Sequence, residues 1–274
     1  MEDLSDRYPV WLCDVWGVVH DGIESFPKAL DALRRHRANG GKIVLVSNAP
    51  RPRAEVARQL DHFKVTRDSY DVVVTSGDVT RDLVDRHAAG KLYFIGAERD
   101  LPLVRGLAVD LTGPLEAHAI LCAGLVDDTT ETPDDYDAIL RELATRDLEM
   151  ICANPDKLVR RGERLLYCAG SLAERYEAMG GRVVMAGKPY HPIYELAHRE
   201  AESLIGRTLP KAHLLAIGDG PETDIRGAAS YGMDAVLIAH GVSHGRNPAE
   251  LAREVRAAIP EANIIRSLSG LSWS

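Results

Sequence analysis

The chain has 274 residues, of which 45% are hydrophobic and 27% are charged, and it carries a formal net charge of -8. This composition is typical of a globular protein that buries a sizeable core, and it excludes fibrous and disordered chains. The acidic balance disfavours nucleic acids and anionic membranes as partners, because both bind to basic surfaces.

Short runs of β-branched and apolar residues alternate with amphipathic helical patterns along the chain. The outer parts of the chain contain predicted strands at 11–14, 42–47, 71–75, 214–218 and 235–239, and predicted helices at 27–38, 53–63 and 79–87. The middle contains predicted strands at 92–95, 119–122 and 149–152 and a helix that opens at 132–135 and runs through Ala144. Strands that alternate with helices predict a parallel sheet covered on both faces.

The middle third has its own strand and helix pattern, and the end of the chain returns to the pattern of the beginning. We therefore predict an α/β protein with a doubly wound parallel sheet in a Rossmann-like core and an inserted, smaller α/β cap domain. The predicted core is discontinuous and contains residues 1–90 and 178–274, and the cap contains residues 91–177.

Two further patterns indicate the cellular setting. No apolar run approaches the roughly 20 residues that a membrane helix requires, and the first eight residues are acidic where a signal peptide is basic. We expect a cytoplasmic protein with no membrane partner. The cysteines form no C-x-x-C pair, which predicts reduced, buried thiols and no zinc site; they are Cys13, Cys122, Cys152 and Cys168.

Chemically reactive side chains follow the predicted strands. In parallel α/β sheets, ligands bind beyond the carboxyl ends of the strands. The residues found at these positions are Asp14, Ser47, Asn48, Lys188, Asp219 and Asp224. At one edge of a sheet, the carboxylates would bind a hard cation, the hydroxyl and amide would hold phosphate oxygens, and the lysine would neutralise charge. This set predicts a phosphoryl-transfer site.

The segments 13–22, 46–50, 183–189 and 216–224 match the four motifs of the haloacid dehalogenase (HAD) superfamily in their order. The chain resembles class IIA of that superfamily, the NagD-like branch, over nearly its whole length. Features of that class also appear at 75–78, 153–156 and 241–243. The resemblance implies a magnesium-dependent phosphohydrolase that acts on a small phosphorylated metabolite. Copies pair through the cap in this class, so a homo-oligomer is an open expectation.

The resemblance also implies a nucleophile and a metal site. Asp14 would attack phosphorus and form an aspartyl-phosphate. Mg²⁺ would lie between Asp14, the backbone carbonyl of Trp16 and Asp219. Asp224 would act as a more distant or water-mediated partner of the metal.

The phosphoryl group would be held by a second set of residues. Ser47 and the backbone around Asn48 would bind its oxygens, and Lys188 would offset its charge and that of Asp14. A carboxylate that approaches an anionic phosphate needs such positive charge nearby.

Trp16 departs from the family pattern. Active members carry a second aspartate at this position, which protonates the leaving oxygen and then activates water, and an indole does neither near neutral pH. General acid–base catalysis typically contributes about 10²–10⁴-fold. Three outcomes follow. In the first, activity survives on substrates whose leaving group has a low pKa. In the second, His20 or Asp21 supplies the proton. In the third, the protein is a weak or inactive relative that keeps its phosphoenzyme or binds a phosphorylated ligand or a partner.

The predicted cap carries several arginines after its 153–156 loop, at Arg160, Arg161 and Arg164. One of them would reach an anionic leaving group, or they form a solvated surface. The sequence does not identify the substrate beyond a phosphorylated metabolite.

Overall fold

The computed structural model describes residues 1–87, 90–161, 164–240 and 245–273. Within these ranges the strands are β1 (Val10–Asp14), β2 (Lys42–Ser47), β3 (Val72–Thr75), β4 (Lys91–Ile95), β5 (Asp110–Leu111), β6 (Ala119–Cys122), β7 (Glu149–Cys152), β8 (Leu158–Arg161), β9 (Arg164–Tyr167), β10 (Arg182–Met185), β11 (Leu214–Gly218), β12 (Asp234–Ile238) and β13 (Ile264–Leu268). The helices are α1 (Glu2–Arg7), α2 (Pro27–Ala38), α3 (Arg53–His62), α4 (Ser76–His87), α5 (Asp137–Thr145), α6 (Ala169–Ala178), α7 (His191–Ile205), α8 (Arg226–Tyr231) and α9 (Pro248–Ala258).

The larger sheet has the strand order β13-β12-β11-β1-β2-β3, with every pair parallel. Strand β1 lies between β11 and β2, so that Cys13 faces Ile217 on one side and Leu45 on the other. Because parallel strands end at the same edge, this order brings the residues that follow β1, β2 and β11 together.

Both faces of this sheet are buried. Along β1, Val10 and Leu12 pack in a cluster with α7, α8 and α9, whereas Trp11 and Cys13 pack in a cluster with α2 and α3. Successive side chains of a strand point to opposite faces, so each strand contributes to both clusters. The predicted doubly wound α/β fold is confirmed.

The second sheet has the order β10-β7-β6-β4-β5 and is also parallel. Its outer strand β10 pairs with β7, so this sheet extends beyond residue 177, where the sequence predicts a return to the core. Strand β10 therefore belongs to the cap sheet and leads the chain back towards Lys188. A separate antiparallel hairpin, β8 and β9, was not predicted from the sequence.

Several predicted elements agree with the observed bounds. Strands β2, β6, β7 and β11 coincide with the predicted ranges, while α4 begins at Ser76, three residues before the predicted start. The strand β13 was missed. The segment 241–243, which contributed to the family resemblance, lies outside the described residues.

The structure also bears on the expectations about membrane helices and cysteines. In the part of the chain that the structure describes, no helix is both long and apolar enough to cross a membrane. All four cysteines are free thiols and are buried, as predicted.

Candidate active site

Three buried carboxylates meet at the carboxyl ends of β1 and β11. Asp14 ends β1, Asp219 directly follows β11, and Asp224 lies in the helical turn Pro221–Ile225. Ligand oxygens of these three side chains lie within 4.8 Å of one another. The structure therefore brings together the three aspartates that the sequence analysis selected.

Two glycines make room for this cluster. Gly17 has a φ of +86°, and a Cβ at that position would lie 2.4 Å from Oδ2 of Asp219. A Cβ on Gly218 would lie 2.1 Å from Cγ of Asp224. A side chain at either position would displace a carboxylate, so both positions require glycine for space, and Gly17 requires it for its backbone conformation as well.

Lys188 reaches into the cluster from the loop after β10. Its Nζ donates to Oδ1 of Asp14, to Oδ1 of Asp224 at 2.8 Å and to the carbonyl oxygen of Val46 at 3.2 Å. Burial lowers the pKa of Lys188, but Asp14 and Asp224 outweigh burial and hold it well above its usual value. Burial also raises the pKa of Asp14, and Lys188 opposes that change. Lys188 is therefore a permanent positive charge beside the predicted nucleophile.

The residues at the end of β2 lie on the same side. Ser47 is buried, and its Oγ accepts a hydrogen bond from the Ala49 N–H at 3.2 Å. The Asn48 side chain makes contacts that the sequence did not predict. Its Oδ1 accepts the Lys188 N–H at 2.7 Å, and its Nδ2 donates to Oδ1 of Asp156 at 2.9 Å. Asn48 thus joins the core to the loop that carries Asp156.

The indole of Trp16 connects the core to the β8–β9 hairpin. Its Nε1 donates to the carbonyl oxygen of Arg160 at 2.6 Å. The six-membered part of the indole lies so close to Gly22 that a Cβ there would be 2.5 Å from it. His20 packs against the indole at a centroid separation of 5.1 Å. Trp16 therefore forms part of the cavity wall and contacts the cap.

The structure assigns local roles to the two residues that were considered as substitute acids. His20 is buried, its Nδ1 accepts the Gly22 N–H at 3.0 Å, and burial lowers its pKa to about 4. Burial raises the pKa of Asp21, but backbone hydrogen bonds from Glu24 and Ile23 outweigh it and keep the pKa below its usual value. Neither residue lines the cavity. A neutral imidazole and an ionised turn residue are poor sources of a proton near neutral pH.

A cavity of about 300 Å³ extends from the carboxylates to the second sheet and the hairpin. Its rim contains both signs of charge, and the residues involved are Arg51, Arg99, Asp100, Asp128, Asp156, Arg160 and Arg161. The Nε of Arg160 is buried and has no hydrogen-bond partner among the described residues. Arg161 also lines the cavity, whereas Arg164 does not.

Sequence reasoning missed five of these charged lining residues. Four of them lie outside every motif, and nothing in their local sequence distinguishes them from surface charges: Arg51, Arg99, Asp100 and Asp128. Asp156 belongs to the segment 153–156, which was noted as a class feature without an assigned role. Its signal was the Asn-Pro-Asp sequence, which is equally typical of a turn.

Comparisons with known proteins agree with this geometry. A family model described as haloacid dehalogenase-like hydrolase matches residues 11–109, and a related HAD-hydrolase-like model matches residues 185–271. A solved structure of a haloacid dehalogenase-like hydrolase from Brucella suis 1330 is 49% identical, covers 89% of each chain and superposes with a TM-score of 0.87. The chain belongs to the haloacid dehalogenase superfamily. The solved structure of NagD from E. coli K-12 is 20% identical, covers 97% of this chain and 98% of that chain and superposes with a TM-score of 0.68, so it shares the fold of this HAD protein.

Two curated relatives of this HAD protein have named activities. The 5′-nucleotidase YutF of Bacillus subtilis is 26% identical over 239 residues, which cover 86% of this chain and 89% of the relative. The D-glycerol 3-phosphate phosphatase of Mycobacterium tuberculosis is 23% identical over 288 aligned positions, which cover 100% of this chain and 77% of the relative. Both relatives are named for hydrolysis of phosphate esters.

Proposed function

We propose that this HAD protein is a magnesium-dependent phosphohydrolase that acts on a small phosphorylated metabolite through an aspartyl-phosphate. The observation that carries the proposal is that Asp14, Asp219 and Asp224 meet beside a cavity and that Lys188 contacts two of them, Asp14 and Asp224. The named activities of the two curated relatives support the same reaction class.

The carboxylate cluster fits a hard divalent cation. Three buried carboxylates lie together, and Lys188 contacts two of them, Asp14 and Asp224. Buried carboxylates are costly unless cations join them, and oxygen ligands suit Mg²⁺. Asp14, Asp219 and the carbonyl of Trp16 would hold the ion, with Asp224 nearby. Bound Mg²⁺ would supply charge stabilisation for the transferring phosphoryl group.

The residues of the protein itself have separate roles in the reaction. A carboxylate oxygen of Asp14 attacks phosphorus, and the bond to the leaving oxygen breaks. Lys188 keeps positive charge beside Asp14 while negative charge accumulates on the phosphoryl oxygens. The Ser47 hydroxyl and the backbone that follows it orient the phosphoryl group for in-line attack. Water then hydrolyses the aspartyl-phosphate and restores Asp14.

A second candidate function is binding of a phosphorylated ligand or a partner with little or no turnover. The observation that favours it is Trp16, which occupies the family's acid–base position and uses its N–H for a contact with Arg160. An enzyme without a proton donor would hold substrate or phosphoenzyme for a long time.

An assay of the purified protein with Mg²⁺ separates the two candidates. The substrates are p-nitrophenyl phosphate and a panel of sugar phosphates, nucleotides and other metabolite phosphates. Asp14→Asn removes the nucleophile, and Trp16→Asp restores the family's usual acid. Asp21→Asn serves as the control, since the amide oxygen still accepts the backbone hydrogen bonds of that turn.

The phosphohydrolase proposal expects turnover in the natural protein and in the control, and none with Asp14→Asn. Turnover that appears only after Trp16→Asp would instead favour the binding function. Activity that survives Asp14→Asn would show that Asp14 is not the nucleophile.

A further inference from the structure

Asp156 provides a carboxyl group on the cap side of the cavity that contains Asp14. It follows Ala153, Asn154 and Pro155 in the loop between β7 and β8, and its side chain is half-buried. The cavity is lined by Asp156 together with Ser47, Asn48 and Lys188. Asp156 is therefore in the same chamber as the predicted phosphoryl site, but it is carried by a different domain.

The position of the Asp156 side chain is set by Asn48. The Asn48 Nδ2 donates to Oδ1 of Asp156 at 2.9 Å and to the carbonyl oxygen of Lys188 at 3.2 Å. The Lys188 N–H fixes the orientation of the amide, because it donates to Oδ1 of Asn48 at 2.7 Å. No protein hydrogen bond to Oδ2 of Asp156 occurs among the described residues, which leaves that oxygen available to a ligand.

The backbone of Asp156 is also held firmly. Its N–H donates to Oδ1 of Asn154 at 3.0 Å, and its carbonyl accepts the Gly170 N–H at 3.1 Å. A Cβ on Gly170 would lie 2.2 Å from the carbonyl oxygen of Pro155, so the loop packs directly on the start of α6. A functional group on so constrained a loop needs little reorganisation to act.

Asp156 has a different kind of side-chain partner from the other acidic residues on the cap side of the cavity. Asp100 pairs with Arg51 at 3.5 Å, and Asp128 pairs with Arg99. An arginine partner favours the ionised carboxylate, whereas the partner of Asp156 is a neutral amide. Burial raises the pKa of both Asp100 and Asp156. Lys188 opposes this change at Asp156 from a distance, and the described residues give Asp156 no arginine contact.

In-line phosphoryl transfer places the leaving oxygen on the far side of phosphorus from Asp14. Asp14 belongs to the core, so the leaving group points towards the cap, where Asp156 lies. We propose that Asp156 is the general acid and base of this protein and replaces the aspartate that is absent at Trp16. This role rests on the proposed phosphohydrolase function and names the residue that completes it.

Asp156 regains in the second step the proton that it gives in the first. In the first step the Asp14 carboxylate attacks phosphorus, the P–O bond to the leaving group breaks, and the Asp156 carboxyl gives its proton to the leaving oxygen. In the second step water attacks the aspartyl-phosphate, and the Asp156 carboxylate takes a proton from it. The bond between phosphorus and Asp14 breaks, inorganic phosphate leaves, and both aspartates return to their starting forms.

Asp156→Asn tests the role with two substrates of different leaving group. Asparagine keeps an oxygen that accepts from Asn48 but cannot transfer a proton. Glycerol 3-phosphate has an alkoxide leaving group that needs protonation, whereas p-nitrophenolate leaves as a stable anion. We expect steady-state turnover of both substrates to fall by about 10²–10⁴-fold. A rapid burst of about one nitrophenolate per chain should remain, because only hydrolysis of the phosphoenzyme is blocked.

Two results would overturn the role of Asp156 while the proposed function stands. One is unchanged turnover of both substrates by Asp156→Asn in a natural protein that is active. The other is loss of the burst together with turnover, which would mean that Asp156 acts before any proton is needed. Asp156→Ser provides a second variant with the same expected burst in case the asparagine protein does not fold. Inactivity of the natural protein on these two substrates and on the whole panel of metabolite phosphates would overturn the function and this role together.

Discussion

The indole N–H of Trp16, two residues after Asp14, donates a hydrogen bond to the carbonyl oxygen of Arg160 in strand β8. The two atoms are 2.6 Å apart, and they join the loop after β1 to the β8–β9 hairpin across the cavity. The residue that replaces the family's acid–base aspartate is thus a contact between core and cap.

Removal of this contact should loosen the hairpin. Trp16→Phe keeps an aromatic ring beside His20 and Gly22 but deletes the N–H donor. A single hydrogen bond is worth about 0.5–1.5 kcal/mol, and we expect a loss of that size in the free energy of unfolding. Limited digestion with trypsin should cut faster after the arginines of the hairpin. Trp273→Phe is the matched control, and equal cleavage rates in the two variants would contradict a role for Trp16 in cap docking.

Lys188 should be essential for the stability of the metal-free protein. Lys188→Met leaves Asp14 and Asp224 buried without their ammonium partner, and breaking a buried pair typically costs about 3–5 kcal/mol. Lys157→Met is the control, because Lys157 pairs with Glu174 at 2.7 Å between exposed side chains, a pair worth about 0–1 kcal/mol. Urea unfolding in the presence of a chelator measures both. Similar losses in the two variants would show that Lys188 is not a buried counter-charge.

Gly17 should be required for metal binding. Gly17→Ala and Gly40→Ala both place a side chain at positive φ, which costs about 1–2 kcal/mol, but Gly40 has nothing within 4 Å of its Cβ direction. Only Gly17→Ala collides with Asp219. A ligand at 100 times its Kd stabilises a protein by about 2.7 kcal/mol, so Mg²⁺ should raise the melting temperature of Gly40→Ala clearly. The same Mg²⁺ effect in Gly17→Ala would rule out Asp219 as a ligand.

His36 should make the protein less stable in acid. It is buried and stacks on Trp11 at 3.9 Å, and burial lowers its pKa from 6.5 to about 4. The unfolded chain therefore binds one more proton than the folded chain between these values. The free energy of unfolding therefore contains its full His36 contribution above about pH 6.5. This contribution falls by about 3 kcal/mol in total as the pH falls towards 4.

His36→Phe retains the stacked ring and removes the titration. The test is the pH dependence of the unfolding free energy, measured between pH 4 and 7 for both proteins. The slope for the phenylalanine variant should be smaller by about one proton. Identical slopes would mean that His36 does not titrate on unfolding.

Much of the fold was accessible from local sequence. Strands such as β2 and β11 are continuous apolar runs, so burial on both sheet faces made them recognisable, and their bounds agree with the prediction. Strand β13 and the β8–β9 hairpin were missed. The hairpin strands mix arginine with leucine and are largely exposed, so neither continuous burial nor clear alternation marks them.

The outer strand of the second sheet could not be predicted from the sequence either. Strand β10 has the same apolar character as the strands of the core, and its residues Arg182–Met185 alone do not decide which sheet it joins. Only its pairing with β7 assigns it to the cap sheet. Pairing partners are distant in sequence, and local periodicity contains no information about them.

The sequence by itself determined which residues stand at the strand ends, Asp14, Ser47, Lys188 and Asp219 among them, because strand propensity and glycine turns are local properties. The tertiary structure alone decided what faces them. The hydrogen bonds from Trp16 to Arg160 and from Asn48 to Asp156 join residues more than a hundred positions apart. Such contacts depend on how the cap docks on the core, and docking follows from packing and from partner geometry that no local pattern encodes.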